Sequence, residues 1–316
     1  MSEPVYLGIE IGGTKLQLGI GDGCGSIAAL WRGPVAPIDG ADGIRRQILD
    51  AVPDLLMRAG VSKSQLRGIG VGFGGPVDDA TRSVIKSHQI AGWDLFPLGD
   101  WIGESFGLPA VLGNDADVAG LAEASFGAGR GMSPVFYVTL GSGIGGGLII
   151  DGAIHRGVGK GAAEIGHLRL WHEGRWDVLE HFASGWAIDR KVRDLARSGF
   201  LANSPLGRHT QSETLTARDV GEAAAKGDAA ASAILDGATM CLAQAFCQVV
   251  ALVCPRRFVV GGGLSLIGEP LFGPLRRHVA EMVFKPFAEC FDIVPASLGE
   301  EVVVQGALAL ASRSFA

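Results

Sequence analysis

Two stretches of the chain repeat one design 129 residues apart. The first reads LGIEIGGTKLQLGIGDG from Leu7 to Gly23, and the second reads FYVTLGSGIGGGLIIDG from Phe136 to Gly152. Aligned without a gap, Gly12 falls on Gly141, Asp22 on Asp151 and Gly23 on Gly152. Each copy predicts an apolar strand, a glycine-rich turn, a second strand and an Asp-Gly hairpin turn. Glycine at such a turn lets the backbone approach a ligand closely, so that amide N–H groups face phosphate oxygens. One turn of this kind is compatible with an ordinary hairpin. Two related copies point to a nucleotide held between two similar half-structures.

Other nucleotide-binding designs do not fit. Gly141 to Gly146 and Gly70 to Gly75 both have the spacing G-x-G-x-x-G. In a dinucleotide-binding unit that motif must open a helix after a strand. Here Leu148-Ile149-Ile150 follows the first run as a strand, and Pro76-Val77-Asp78 follows the second as a turn. No G-x-x-x-x-G-K-[ST] motif occurs, which excludes a Walker-type nucleotidase.

A chain of 316 residues has room for two domains, each with its own core. The net charge of −6 argues against a nucleic-acid partner, and no basic run precedes the first strand. Glu3 stands near the N-terminus without a basic, apolar leader, so no signal peptide is expected. Gly237 to Cys254 is an uncharged run of 18 residues, at the lower edge of a membrane span. It carries Gln244 and Gln248 and leads directly into Pro255-Arg256-Arg257, as the buried helix of a large domain would. The five cysteines are scattered, with Cys241, Cys247 and Cys254 assigned to that helix, and they read as small apolar residues in a reducing compartment. No membrane partner and a cytoplasmic location are expected.

Periodicity predicts a helix over Ile44–Ala59, a short strand over Ile69–Phe73 and another over Ala110–Leu112. A helix from about Val118 to Ser125 follows, then helices over Leu215–Lys226 and Ala229–Cys254. A strand over Phe258–Val260 ends in Gly261-Gly262-Gly263, and a last helix includes Ala307 to Ala311. Strands followed by helices in both halves predict an α/β class with two similar domains. The N-terminal α/β domain is placed at 1–117, with a C-terminal helix over about 303–316 returning to it. The C-terminal α/β domain is placed at 118–302.

Six motifs then occur in order: Ile11-Gly-Gly-Thr-Lys15, Gly75-Pro-Val-Asp78, Gly113-Asn-Asp-Ala-Asp117, Leu140-Gly-Ser-Gly-Ile-Gly-Gly146, Ala163-Glu-Ile-Gly-His167 and Val260-Gly-Gly-Gly263. Together, over nearly the whole chain, they resemble the ROK family of sugar kinases and related repressors. The resemblance implies two domains of ribonuclease H-like, actin/hexokinase-type fold with a cleft between them. It implies ATP and magnesium as cofactors, a small-molecule sugar as acceptor, and a homodimer. By the same resemblance Gly12, Gly13, Thr14 and Lys15, with Gly141, Ser142 and Gly143, flank the nucleotide phosphates. Gly261, Gly262 and Gly263 lie on the adenosine side. Asp115 takes the place of the general base. Gly75, Asn114, Glu164, His167 and Glu180 take the places of sugar contacts, the last within Leu179-Glu-His-Phe-Ala-Ser-Gly185.

The residue chemistry is compatible with those roles. Phosphoryl transfer requires N–H or cationic stabilisation of the phosphates, a metal, and a group that receives the hydroxyl proton. Asp115, between a strand and a helix, has the setting of a fixed carboxylate. The plainer alternative is that Asn114, Asp115 and Asp117 cap the helix, with Asp117 the better candidate for that task. Glu164 and His167 are three apart and suit bidentate polar binding, or are ordinary satisfied polar residues. Trp93 and Phe96 read as core or cleft edge ahead of sugar stacking. Lys15 is a phosphate ligand or a solvated hairpin lysine.

Two positions depart from the family pattern. Glu10 stands where an Asp usually helps to hold magnesium, often through water; it keeps the charge and adds one methylene. Many relatives also follow the Gly-His with a cysteine-rich loop that binds zinc. This chain has no cysteine between Cys24 and Cys241, and only 13 positions separate His167 from Glu180. No zinc site is expected, because His172, Glu173 and His181 match no zinc spacing. The function expected is ATP-dependent phosphorylation of a hexose hydroxyl, at the 6-position of glucose or a relative. The alternatives are a sugar-binding regulatory protein without kinase activity and a kinase that uses polyphosphate.

Overall fold

The computed structural model of the chain describes residues 4–87, 89–158, 160–208 and 212–316. Glu3 lies outside them. The chain begins with β1 (Val5–Ile11), β2 (Lys15–Gly21), β3 (Ile27–Pro34), α1 (Gly40–Ala59) and β4 (Leu66–Phe73). It continues through β5 (Val77–Asp78), β6 (Ser83–Val84), α2 (Leu98–Phe106), β7 (Ala110–Asn114) and α3 (Asp115–Phe126). The second repeat supplies β8 (Val135–Leu140), β9 (Ile144–Ile150) and β10 (Ala153–Ile154). Then come β11 (Arg169–His172), β12 (Arg175–Val178), α4 (Glu180–Ala183), α5 (Gly185–Arg197), α6 (Ala217–Ala225) and α7 (Ala229–Leu252). The chain finishes with β13 (Arg257–Gly261), α8 (Glu269–Met282), β14 (Asp292–Pro295) and α9 (Val302–Phe315).

Two sheets carry the repeat. One runs β3-β2-β1-β4-β7 and the other β10-β9-β8-β13-β14, so the strand order is the same when counted along each half. In the first, β1 pairs antiparallel with β2 and parallel with β4, which is itself parallel to β7. In the second, β13 is parallel to both β8 and β14. By packing, unit 1 comprises 1–133, 147–162 and 297–316, and unit 2 comprises 134–146 and 163–296. The chain therefore changes unit inside β9. The division expected from sequence, at 117/118, separated α3 from the first domain. In the structure α3 packs on α9 and belongs to unit 1.

Alternation explains unit 1. Leu7, Ile9, Ile11, Leu16, Leu18 and Ile20 are buried and pack with Ile44 and Ile48 of α1. The opposite face is covered by α9, where Val304 and Leu308 meet Tyr6. That approach depends on missing side chains: a Cβ on Gly70 would lie 1.9 Å from the Ala307 carbonyl oxygen, and one on Gly306 would lie 1.9 Å from that of Val118. Trp93 is fully buried, edge-on to Phe73 at 5.5 Å and to Phe96 at 5.4 Å, so it is core. In unit 2 the ring of Phe258 stacks on Phe246 of α7 at 4.5 Å. Among the described residues α7 alone is long and apolar enough to cross a membrane, yet it packs on α6 and α8 and buries Leu235, Leu242 and Phe246. It ends at Leu252, so Cys254 falls beyond it, in a left-handed conformation with φ 45°.

Candidate active site

Strand register builds the unit 1 edge. Ile11 is opposite Phe73, and Phe73 is opposite Asn114, so the three parallel strands end at one level. The turn Gly12–Thr14, the loop Gly74–Gly75 and the start of α3 emerge there together. Ligands of α/β sheets bind at such carboxyl ends. Gly12 N–H donates to the Lys15 carbonyl at 3.0 Å, which closes the turn, and Gly74 N–H donates to the Ile11 carbonyl at 2.8 Å. Lys15 extends from the turn as the first residue of β2.

Asn114 caps α3. Its backbone is extended, with φ −65° and ψ 147°, and its Oδ1 accepts from Ala116 N–H at 2.9 Å. Its Nδ2 donates to the Gly75 carbonyl at 2.9 Å. The cap expected at Asp117 is thus corrected. The helix starts at Asp115, three residues before Val118, and Asp117 is buried within it. Asp115 also accepts from Ala116 N–H, at 2.8 Å, and its Oδ2 lies 3.4 Å from where a Cβ on Gly74 would be. Half-buried at a helix N-terminus, that carboxylate is held in place while still reached by solvent.

Glu10 has partners that leave little for a metal. Its Oε1 is 3.1 Å from Lys15 Nζ, and its Oε2 accepts from Gln17 Nε2 at 2.7 Å. Gln17 Nε2 and Lys15 Nζ both donate to the Glu300 carbonyl, at 3.0 and 3.3 Å. Arg32 donates to Gln17 Oε1 at 2.8 Å and pairs with Glu301. Burial pushes the Glu10 carboxyl above its ordinary value, against the opposing pull of Lys15, Gln17 and Arg32. As arranged, Glu10 does not fit a direct magnesium ligand, since both oxygens already hold cationic or N–H donors. Gln17 was not singled out from sequence. Its signal was there, because a hairpin closing at Gly12–Thr14 places residue 17 opposite residue 10.

The unit 2 edge is assembled the same way. Gly261 is opposite Thr139, so Gly262–Gly263 and Gly141–Ser142 leave parallel strands side by side. Gly262 has φ 81°, and a Cβ there would lie 2.5 Å from the Leu140 carbonyl oxygen. Gly141 N–H donates to the Gly143 carbonyl at 2.9 Å. The α4–α5 junction grips the turn from below: Gly185 N–H donates to the Gly141 carbonyl at 2.8 Å and Trp186 N–H to that of Ser142 at 3.3 Å. Ser184, buried, caps α5. Glu180 Oε2 accepts from Ile144 N–H at 2.8 Å.

Glu164 and His167 sit on one short 3-10 turn, with His167 N–H donating to the Glu164 carbonyl at 3.0 Å. Ala163, just before it, has the left-handed φ of 61°, an uncommon conformation for a residue with a side chain. Glu164 is exposed, but surrounding protein raises its carboxyl above the ordinary value. Nearby His167 opposes that shift and Glu180 adds to it. The structure thus gathers Glu164, His167 and Glu180 in unit 2, and Gly75, Asn114 and Asp115 in unit 1.

The segment between His167 and Glu180 is a hairpin. Strands β11 and β12 pair from Arg169–Val178 to His172–Arg175, and Leu179 N–H donates to the Leu168 carbonyl at 2.9 Å to close its base. Glu173 and Gly174 form its two-residue turn, with φ 49° and 77°. Trp171 and Trp176 face each other across it at 5.9 Å. The three side chains weighed as a substitute metal site have other partners. His172 is edge-on to Phe182 at 5.4 Å, His181 Nδ1 is 2.8 Å from Asp177, and Glu173 pairs with Lys191 at 2.7 Å. Among the described residues no three His, Cys, Asp or Glu side chains gather as a metal-binding group.

The chain matches the ROK family over residues 6–314. A glucokinase of Halalkalibacterium halodurans is 32% identical, over 97% of this chain and 94% of its own. An ROK family glucokinase from Streptomyces griseus, solved in complex with glucose and AMPPNP, is 29% identical with a TM-score of 0.78, over 98% of this chain and 99% of its own. An ROK hexokinase from Thermus thermophilus is 26% identical with a TM-score of 0.77, over 98% of both chains.

Proposed function

This chain belongs to the ROK family and is a sugar kinase, and we propose that it transfers the γ-phosphoryl group of ATP to the 6-hydroxyl of glucose or a closely related hexose. The observation that carries the reading is the common level of Ile11, Phe73 and Asn114, which sets the glycine turn and the Asp115 carboxylate at one strand edge. In this reading Asp115 accepts the hydroxyl proton as that oxygen bonds to the γ-phosphorus. The bond from the phosphorus to the bridging oxygen breaks, and ADP leaves with the electron pair. The turns Gly12–Thr14 and Gly141–Gly143 flank the phosphates, and Gly261–Gly263 lies on the adenosine side.

Gly75 and Asn114 in unit 1, and Glu164, His167 and Glu180 in unit 2, are assigned as sugar contacts. Asn114 is prepared for this by its own bonds to Gly75 and Ala116, which leave its amide no freedom to turn. Magnesium, carried in on the nucleotide, supplies charge neutralisation at the phosphates. Glu10 serves Lys15 and not the metal directly, so Lys15 is pre-set beside the turn.

The test is Asp115→Asn assayed with ATP and, in parallel, with polyphosphate, over a panel of hexoses and amino sugars. Loss of a general base costs about 10² to 10⁴ in rate. The variant should lose turnover by that factor while binding sugar within a few fold of wild type. Wild-type kcat in the variant overturns the base assignment, and turnover with polyphosphate alone overturns the donor.

A further inference from the structure

The bond between Glu180 and the second glycine turn has a role beyond holding a sugar. Glu180 is the first residue of α4, and its neighbour Leu179 is fully buried. The carboxylate reaches back 36 positions to accept from Ile144 N–H at 2.8 Å. Gly143 makes room for it: a Cβ there would lie 2.3 Å from Glu180 Oε2. Five residues further on, Gly185 N–H holds the Gly141 carbonyl, and Trp186 N–H that of Ser142. Residues 180–186 therefore fix the turn at both of its ends, and the only side chain among these contacts is Glu180. The same carboxylate is close enough to Glu164 to act on its charge.

We propose that Glu180 is a positioning residue for the 141–144 turn, so that a sugar held by Glu180 sharpens the turn's grip on the nucleotide phosphates. The proposal rests on the kinase reading for the sugar and on the hydrogen bond alone for the turn. One oxygen serves Ile144 N–H, and the other is the one available to a sugar hydroxyl. A sugar that immobilises the carboxylate also immobilises the amide that closes the turn. Linkage then requires the reverse, that nucleotide tightens sugar binding by the same factor.

The experiment measures dissociation constants of a non-hydrolysable ATP analogue with and without saturating glucose, and of glucose with and without the analogue. Wild type should show equal enhancement in both directions, about 5- to 150-fold by the usual size of such coupling. Glu180→Ala should bring the enhancement close to one and weaken the analogue even without sugar. Glu180→Gln, which keeps an oxygen for Ile144 N–H, should restore most of the sugar-free analogue affinity. Glu164→Gln, which does not touch the turn, should weaken glucose and keep the enhancement. Gly143→Ala, which displaces the carboxylate from the other side, should reproduce Glu180→Ala and serves if that variant does not fold. The proposal is overturned if Glu180→Ala or Gly143→Ala weakens glucose alone and leaves the analogue unchanged. A wild-type protein that binds no hexose would sink the sugar assignment instead, while the sugar-free analogue measurements still decide the role of Glu180 at the turn.

Discussion

The two glycine turns align residue for residue and differ in where their charge comes from. The first draws on its own strands: Glu10 precedes it, Lys15 follows it, and the two pair at 3.1 Å. The second has Thr139 and Ile144 at the matching places and no charge of its own. Its carboxylate is imported from Glu180. Spacing of glycines sets the backbone path in both, while the neighbours decide what each path can do. A turn with a local ion pair keeps its electrostatics through small shifts of the fold. A turn with an imported carboxylate depends on everything that holds α4 in place.

Exchanging the aligned residues should break the symmetry most. Gly143→Thr copies the first turn onto the second and forces the side chain into Glu180. Misplacement of about 1 Å at such a site costs about 10²-fold in rate, so kcat/KM for ATP should fall by that order. The reciprocal Thr14→Gly, at an exposed position with no imported carboxylate to displace, should lower kcat/KM for ATP by much less. Equal losses in the two variants would show that the turns are interchangeable.

The glycines that end each repeat sharpen the same point through stability. Gly23 and Gly152 both have a left-handed backbone, with φ 72° and 78°. A Cβ on Gly23 would lie 2.4 Å from Ser312 Cβ, whereas the nearest atom to one on Gly152 is Arg313 Nη1 at 3.8 Å. Gly152→Ala should cost about 1–2 kcal/mol from backbone strain alone. Gly23→Ala should cost about 1–3 kcal/mol more from overpacking. Denaturant midpoints measured side by side would refute this if the two variants matched.

The smallest expected effect is a pH dependence confined to the first turn. Glu10 is held above its ordinary value of 4.5 by burial, so the folded chain binds this proton more tightly than the unfolded chain. Relative to the unfolded chain, burial eases protonation of this carboxyl, against the pull of Lys15. Between the raised value and 4.5, falling pH therefore adds stability through Glu10. Wild type should gain in melting temperature relative to Glu10→Gln as pH is lowered from 7 toward 4.5. A difference that stays flat across this range would mean that Lys15 fully offsets the burial.

What the sequence made legible follows the same division. Both strand–turn–strand units, the helix over Ile44–Ala59 and the position of Asp115 after a strand were read from local pattern, and the structure has them. The start of α3 is ambiguous in the sequence because three side chains within four positions, Asn114, Asp115 and Asp117, are all good caps. Only the backbone angle at Asn114 decides among them. The tie from Glu180 to Ile144 left no local trace, since it depends on how α4 packs. The place of α3 in unit 1 was equally hidden, because it arises from contacts of α3 with α9.

The hairpin between His167 and Glu180 alters how this part of the protein comes into being. A zinc-bound loop acquires its shape only when the ion arrives, because the binding energy of the metal is its folding energy. A two-stranded hairpin forms in about 1–10 μs from contacts within itself. Here the ladder from Arg169 to Val178, closed by Leu179 and Leu168, leaves His167 and Glu180 flanking the same closed base. The span contains no thiol to lose to an oxidant. The shape of this segment thereby rests on a ladder within the polypeptide itself.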